Sequence, residues 1–375
     1  MKMKAVKIII AVILLSAVFC VTANALDNEN YIDESDSGRL SEIYDSLDSE
    51  QQDLMSSLGI DGTDFGSINN VSPADIFSLI KDIITGRSRD IIKNILIIAG
   101  VIVMCSVVRI FIPDSKKTEE LIAAACIMAS VIILCGPITD ALKSAVASVD
   151  LCCTFIKSLI PVMTGLIIAS GSPAGAVTFR TFAFAAAQFI SSSVSGFAVP
   201  VLSASASLDI AGSLLPEYKL DSLSSLIKKI LISIISGAAA IYVAFLSLKD
   251  ILNDAADTLS VKGVKLLINS AVPVIGSPLS ELYGSMSGTA SLIKSTAGVF
   301  AIIAVCVITL PPLINLVFWI LSLKILGSVC DVMLQSRISG LFNSLAGVLT
   351  LMNVIMLLNS AIFIISVTLI LDRGG

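Results

Sequence analysis

The 375-residue chain contains no histidine. That absence removes the most usual general base and the commonest metal ligand, so Ser-His and Cys-His catalysis are excluded. Charge is scarce as well: 14% of residues are Asp, Glu, Lys or Arg, against about 25% in an ordinary soluble domain. None of the eight cysteines falls in residues 26–90 and no two form a C-x-x-C pair. They lie mainly in apolar runs, as thiols used as small hydrophobes do. No G-x-x-x-x-G-K-[ST] phosphate loop occurs, which excludes ATP hydrolysis by the commonest route. No cofactor, no metal site and no nucleic-acid partner is expected.

What the chain does contain is apolar: 55% of its residues are hydrophobic and its mean hydropathy is +0.95. This is the composition of a membrane protein, with the lipid bilayer as its first partner. The net charge of −5 is unevenly placed. Residues 26–90 hold fifteen acidic residues against Arg39, Lys81, Arg87 and Arg89, whereas residues 91–375 hold seventeen basic against fourteen acidic. An acidic polar segment is joined to a weakly basic membrane body.

Residues 1–25 have a basic start (Lys2, Lys4, Lys7), an apolar core from Ile8 to Val21 and the small-residue run Ala23-Asn24-Ala25. They read as a secretory signal peptide, with an uncleaved anchor helix as the alternative. Either way residues 26–90 begin outside the cytoplasm. Within them Leu40, Ile43, Tyr44, Leu47, Leu54, Met55 and Leu58 recur at helical spacing, and Gly59 should stop the helix. A second short helix is expected to start at Ser72-Pro73, with Ile76, Phe77, Ile80 and Ile84 on one face. Two such amphipathic helices need each other, the membrane surface or a partner protein to cover those faces.

A bilayer-spanning helix needs about 20 apolar residues. Six runs qualify: Ile91 to Ile112, Leu121 to Thr139, Thr181 to Leu208, Ile230 to Leu248, Ser295 to Leu323 and Leu341 to Leu371. A seventh, Ser158 to Phe179, is broken by Gly165, Gly171, Pro173 and Gly175. Lys and Arg are spread over almost every loop, so the positive-inside rule leaves the orientation open.

Two segments repeat. FIKSLIPV at 155–162 matches LINSAVPV at 267–274, and a glycine follows each, at Gly165 and Gly276. The flanks match too, because each proline is preceded by a span and a charged boundary and followed by a single basic residue, Arg180 or Lys294, before another apolar run. The repeat units cover about residues 121–208 and 230–323, with a last span at 341–371 inside a membrane domain of residues 91–371. Repeated halves with helices broken at corresponding places build the central site of many transport folds. Pro161 and Pro273 each remove a backbone donor, and the nearby glycines loosen the helix further. Pro161, Gly165, Pro273 and Gly276 are therefore candidate pathway positions. Arg180 and Lys294 are either functional charges at membrane depth or interfacial anchors whose heads reach water. The expected fold class is all-α: a polytopic helical membrane protein of six or seven spans, with an internal repeat containing broken or re-entrant helices, preceded by a short helical extracytoplasmic segment.

No confident span has a central Asp or Glu for a protease dyad, proton relay or cation site. The polar residues within spans are neutral: Gln188, Asn315, Asn343, Asn353 and Asn359. Interhelical hydrogen bonding accounts for them. Small residues such as Ala183, Ala186 and Ala187 favour close helix packing, which suits a subunit of an assembly.

The stretch Ile268 to Gly298, with P-V-I-G at Pro273 to Gly276 and S-L-I-K at Ser291 to Lys294, is similar to the stage III sporulation protein AE family. The similarity extends over Phe155 to Ala176 and essentially the whole chain. It implies a polytopic protein of the mother-cell-derived outer forespore membrane. It also implies a channel-like, secretion-like complex as the setting, with ring-forming subunits and a separate ATPase subunit as partners. No catalytic residues carry over. The alternatives are a stand-alone permease for a small solute and a membrane scaffold recruiting ring and ATPase partners.

Overall fold

The computed structural model describes residues 44, 47, 49–60, 73–111, 116–169, 185, 189–190, 194–215, 217–218, 220–237, 240 and 276–371. Residues 1–25, expected to be a signal peptide, and the residues around Arg180 and Pro273 lie outside this set. Among the described residues the regular structure is all helical: α1 (Ser49–Ser57), α2 (Pro73–Phe111), α3 (Lys116–Ala169), a π-helical turn (Val194–Ala198) leading into α4 (Val199–Leu214), α5 (residues 220–237), α6 (Gly276–Val332) and α7 (Ser336–Leu371). Five of these are long and apolar enough to cross a membrane, over Ile91–Val108, Glu120–Gly165, Gly196–Leu214, Ala297–Val332 and Ser336–Ile364.

α1 ends as its sequence dictates. Gly59 takes φ +77°, its amide donates to the Ser56 carbonyl, and the Ile60 amide donates back to Met55. This is the Schellman closure that glycine makes cheap. Leu47, Met55, Leu58 and Ile60 are buried and join the main core. The second expected helix does begin at Pro73, but it is not short. It runs on as α2 into the first span for 39 residues, because neither Gly86 nor Gly100 suffices to end it. Its buried face is Leu79 and Ile83, not the expected Ile80 and Ile84; Ile84 is exposed.

α3 also outruns expectation. A hydropathy criterion ends a span at Thr139, yet the helix continues through Asp140 to Ala169, merging two predicted spans into 54 residues. The reason is periodicity. Asp140, Lys143, Ala147, Thr154, Lys157 and Pro161 are exposed at spacings that keep them on one stripe, while Ala145, Val149, Cys152, Ile156, Leu159 and Met163 are buried on the other. The helix carries two internal prolines, Pro137 and Pro161, and still runs unbroken through the charged stretch, so charge on one face is no reason to stop.

α6 and α7 form the packed centre. Residues along α6 from Ala297 to Cys330 and along α7 from Ile338 to Val367 supply most of the buried apolar side chains. The outward faces of α2 and the first half of α3 are apolar instead, with Leu96, Met104, Phe111 and Ile132 exposed. In water such faces would be costly, but against lipid tails they are the expected surface.

The α6/α7 turn is a second Schellman closure without a glycine. Leu334 has φ 57°, donating to Asp331, and Gln335 donates to Cys330 at 2.9 Å. This turn lies beside the end of α2 and the start of α3, since the Gln335 amide donates to Ser106 Oγ and Arg337 pairs with Glu120 at 3.6 Å. α2 and α6 therefore run toward this end of the bundle, and α3 and α7 run away from it.

Candidate functional site

Asp209, expected in a polar connection after a span, is the eleventh residue of helix α4 and is 2% exposed. The span here ends at Leu214, and so one buried carboxylate does sit within a membrane-crossing helix. Isolated, it would be strongly disfavoured there. It is matched by Lys228 of α5, whose Nζ donates to Asp209 Oδ2 at 2.5 Å. The same ammonium reaches the Ser344 carbonyl of α7 at 3.4 Å. Ser224 of α5 donates to the Ser205 carbonyl of α4 at 3.2 Å, one turn before Asp209. Three helices thus share one polar seam.

Local sequence builds that seam. Ser205, Asp209 and Gly212 recur at spacings of four and three, which places them on one face of α4. Ser224 and Lys228 are likewise four apart on α5. Gly212 lets the α4/α5 turn close, because a Cβ on it would lie 2.5 Å from Asp221 Oδ1 and 3.4 Å from the Asp221 amide nitrogen. Gly347 on α7 faces Lys228 Nζ across 4.0 Å from where a Cβ would stand. Sequence reasoning missed Asp209 because a charge near a run's end reads as a boundary. The signal available was its spacing to Ser205 and Gly212.

A second polar focus lies deeper in α7. Asn353 and Asn359 are buried at 1% and 2% exposure. Asn353 Oδ1 and both polar atoms of Asn359 lack a hydrogen-bond partner. Among the described residues, then, Asn359 makes no interhelical bond, and Asn343 bonds to Ser339 of its own helix. Equal rise along the hairpin sets Asn359 level with roughly residue 310 of α6. There Pro311 and Pro312 stand inside the helix, and their missing amides free the carbonyls of Val307 and Ile308.

The predicted pathway residues fall as follows. Pro161 is exposed and Gly165 half-buried, both within unbroken α3. The break expected there is not seen: Pro161 costs one bond, to the Lys157 carbonyl, and the helix closes around it. Gly276 is the first residue of α6, which passes Lys294 without interruption. Arg180 and Pro273 lie outside the described residues. Phe155, at the start of the first segment, packs on Phe300 of α6, in the apolar run that follows Lys294.

At the α6/α7 turn a cavity of about 300 Å³ opens between Cys105, Glu120, Ile122, Cys126, Gln335 and Arg337. Among the described residues no group of three or more acidic or thiol side chains is placed to hold a metal ion.

Comparison with known proteins gives a family model, stage III sporulation protein AE, matching residues 66–374. A curated protein of Bacillus subtilis (strain 168) named stage III sporulation protein AE is 21% identical over 185 residues, covering 49% of this chain and 46% of that protein. The aligned part of the chain thus spans about half the length of that relative. No solved structure matches.

Proposed function

The chain belongs to the stage III sporulation protein AE family, and we propose that it is a non-enzymatic subunit of a sporulation channel or secretion-like complex linking mother cell and forespore. In this role it sits in the outer forespore membrane and is needed for late forespore gene expression and spore formation. Ring-forming subunits and a separate ATPase subunit complete the complex. The observation that carries the reading is the family match over residues 66–374; the seam Asp209–Lys228–Ser344 ties the α4/α5 hairpin to the α6/α7 centre by charge. The absence of histidine and of a phosphate loop agrees with an ATPase residing elsewhere.

Pull-down of the tagged full-length chain from sporulating cells tests this reading. Several membrane partners should co-isolate, and D209N should sporulate poorly while still reaching the membrane. Isolation of the chain alone, with solute uptake in liposomes, would establish the permease reading instead; the same buried ion pair is what favours that alternative. With residues 26–90 extracytoplasmic, the α6/α7 turn faces the cytoplasm and the C-terminus lies outside. A reporter fused after Arg373 that is active only in the cytoplasm would sink that orientation.

A further inference from the structure

The cavity at the α6/α7 turn stands at a border. Glu120 is the last charged residue before the uncharged run 121–139 of α3, and Arg337 is the last before the uncharged run 338–371 of α7. Two adjacent spans therefore place an acid and a base side by side at the level where the hydrocarbon begins. The pair is loose, 3.6 Å apart, with Glu120 exposed and Arg337 half-buried, so each keeps hydrogen-bonding capacity. As an isolated surface ion pair it would contribute little.

The cavity between them is large for water alone. At about 300 Å³ it reaches the lower end of small-molecule pockets, about 300 Å³. Its floor mixes Ile122, Ala123, Ile338 and the Cys105 and Cys126 thiols with Gln335 and Ser336. Water finds few partners on the apolar part. From Glu120 inward, Leu121, Met128 and Ile132 are exposed on one face of α3 and offer a wall for an acyl chain.

We propose that this cavity binds the headgroup of a phospholipid carrying both a phosphate and a primary amine, with its glycerol and acyl chains lying along Leu121, Met128 and Ile132. The guanidinium of Arg337 presents a planar fork of donors to the phosphate. Glu120 accepts from the ammonium. A purely anionic headgroup leaves Glu120 beside a phosphate with no counter-charge. A choline headgroup has no N–H to donate. The paired acid and base therefore select a hydrogen-bonding zwitterion over both.

The test uses the full-length protein in detergent, with native mass spectrometry reading retained lipid. Phosphatidylethanolamine, phosphatidylglycerol and phosphatidylcholine of the same acyl chains are supplied in equal amounts. Phosphatidylethanolamine should be retained at least ten-fold over each of the others. E120Q should abolish that preference over phosphatidylglycerol, and R337Q should lower retention of all three. Equal retention of the three lipids by the unaltered protein overturns the proposal without recourse to any variant. So does a phosphatidylethanolamine preference that survives E120Q. A last arm adds free phosphoethanolamine. Displacement of lipid only at large excess supports the membrane lipid as occupant, whereas displacement at equal concentration assigns the site to a soluble zwitterion and overturns the lipid.

Discussion

The rings of Phe155 and Phe300 lie with centroids 6.2 Å apart and planes inclined by 54°. Phe155 opens the first repeated segment and Phe300 follows Lys294 by six residues, so this contact joins the first segment to the apolar run after the second. Both rings are buried, at 1% and 0% exposure. Replacing either with Ala should cost about 3 kcal/mol through the cavity left behind. The double variant should cost less than the sum, by about 1 kcal/mol, as edge-tilted aromatic pairs do. Thermal unfolding in detergent of the two single variants and the double variant measures this; strict additivity would show that the rings do not interact.

Asp209 and Lys228 should be worth more together than apart. D209N leaves a buried ammonium, and K228M leaves a buried carboxylate, each destabilising by about 3 kcal/mol. Combining D209L with K228M removes both charges, and stability should return close to that of the unaltered chain. If sporulation stays defective in the stable double variant, the charges serve function; if it recovers, the seam is structural.

Leu334 holds φ 57° at 80% exposure. The side chain is mostly exposed, and the positive φ strains the backbone by about 1 kcal/mol. L334G should raise the unfolding temperature by a few degrees, offset in part by glycine's own entropy. Loss of stability would show that the leucine contributes packing at the turn.

Asn359 carries the same kind of test in the core. With both polar atoms unsatisfied at 2% exposure, its amide is disfavoured by about 2 kcal/mol relative to an apolar group of similar size. N359L should therefore be more stable. An accompanying sporulation defect would mark the amide as functional, and unimpaired sporulation would mark it as dispensable.

Some of this was legible from residue order and some was not, for identifiable reasons. Gly59 and Pro73 announce a helix end and a helix start because each has a backbone property no neighbour shares, and both appear where expected. The α6/α7 turn hides because Leu334 does the work of a glycine. The charges Asp140, Lys143 and Lys157 look like an interruption to a hydropathy criterion, which counts charge without asking which face bears it. Lys228 and Asp209 hide for a different reason: each looks like the edge of a run, and only the fold reveals that the two edges coincide. Pro161 shows the converse error, a residue with a strong local rule that the surrounding helix overrides.

α3 and α6 have 54 and 57 residues, or about 80 Å each at 1.5 Å per residue, whereas the hydrocarbon they cross is about 30 Å thick. Each is thus a lever whose fulcrum lies inside the bilayer. A tilt of ten degrees about that fulcrum moves an end about 40 Å away by about 7 Å. A small rearrangement among lipid-facing helices would then become a displacement of more than half a helix diameter well outside the membrane.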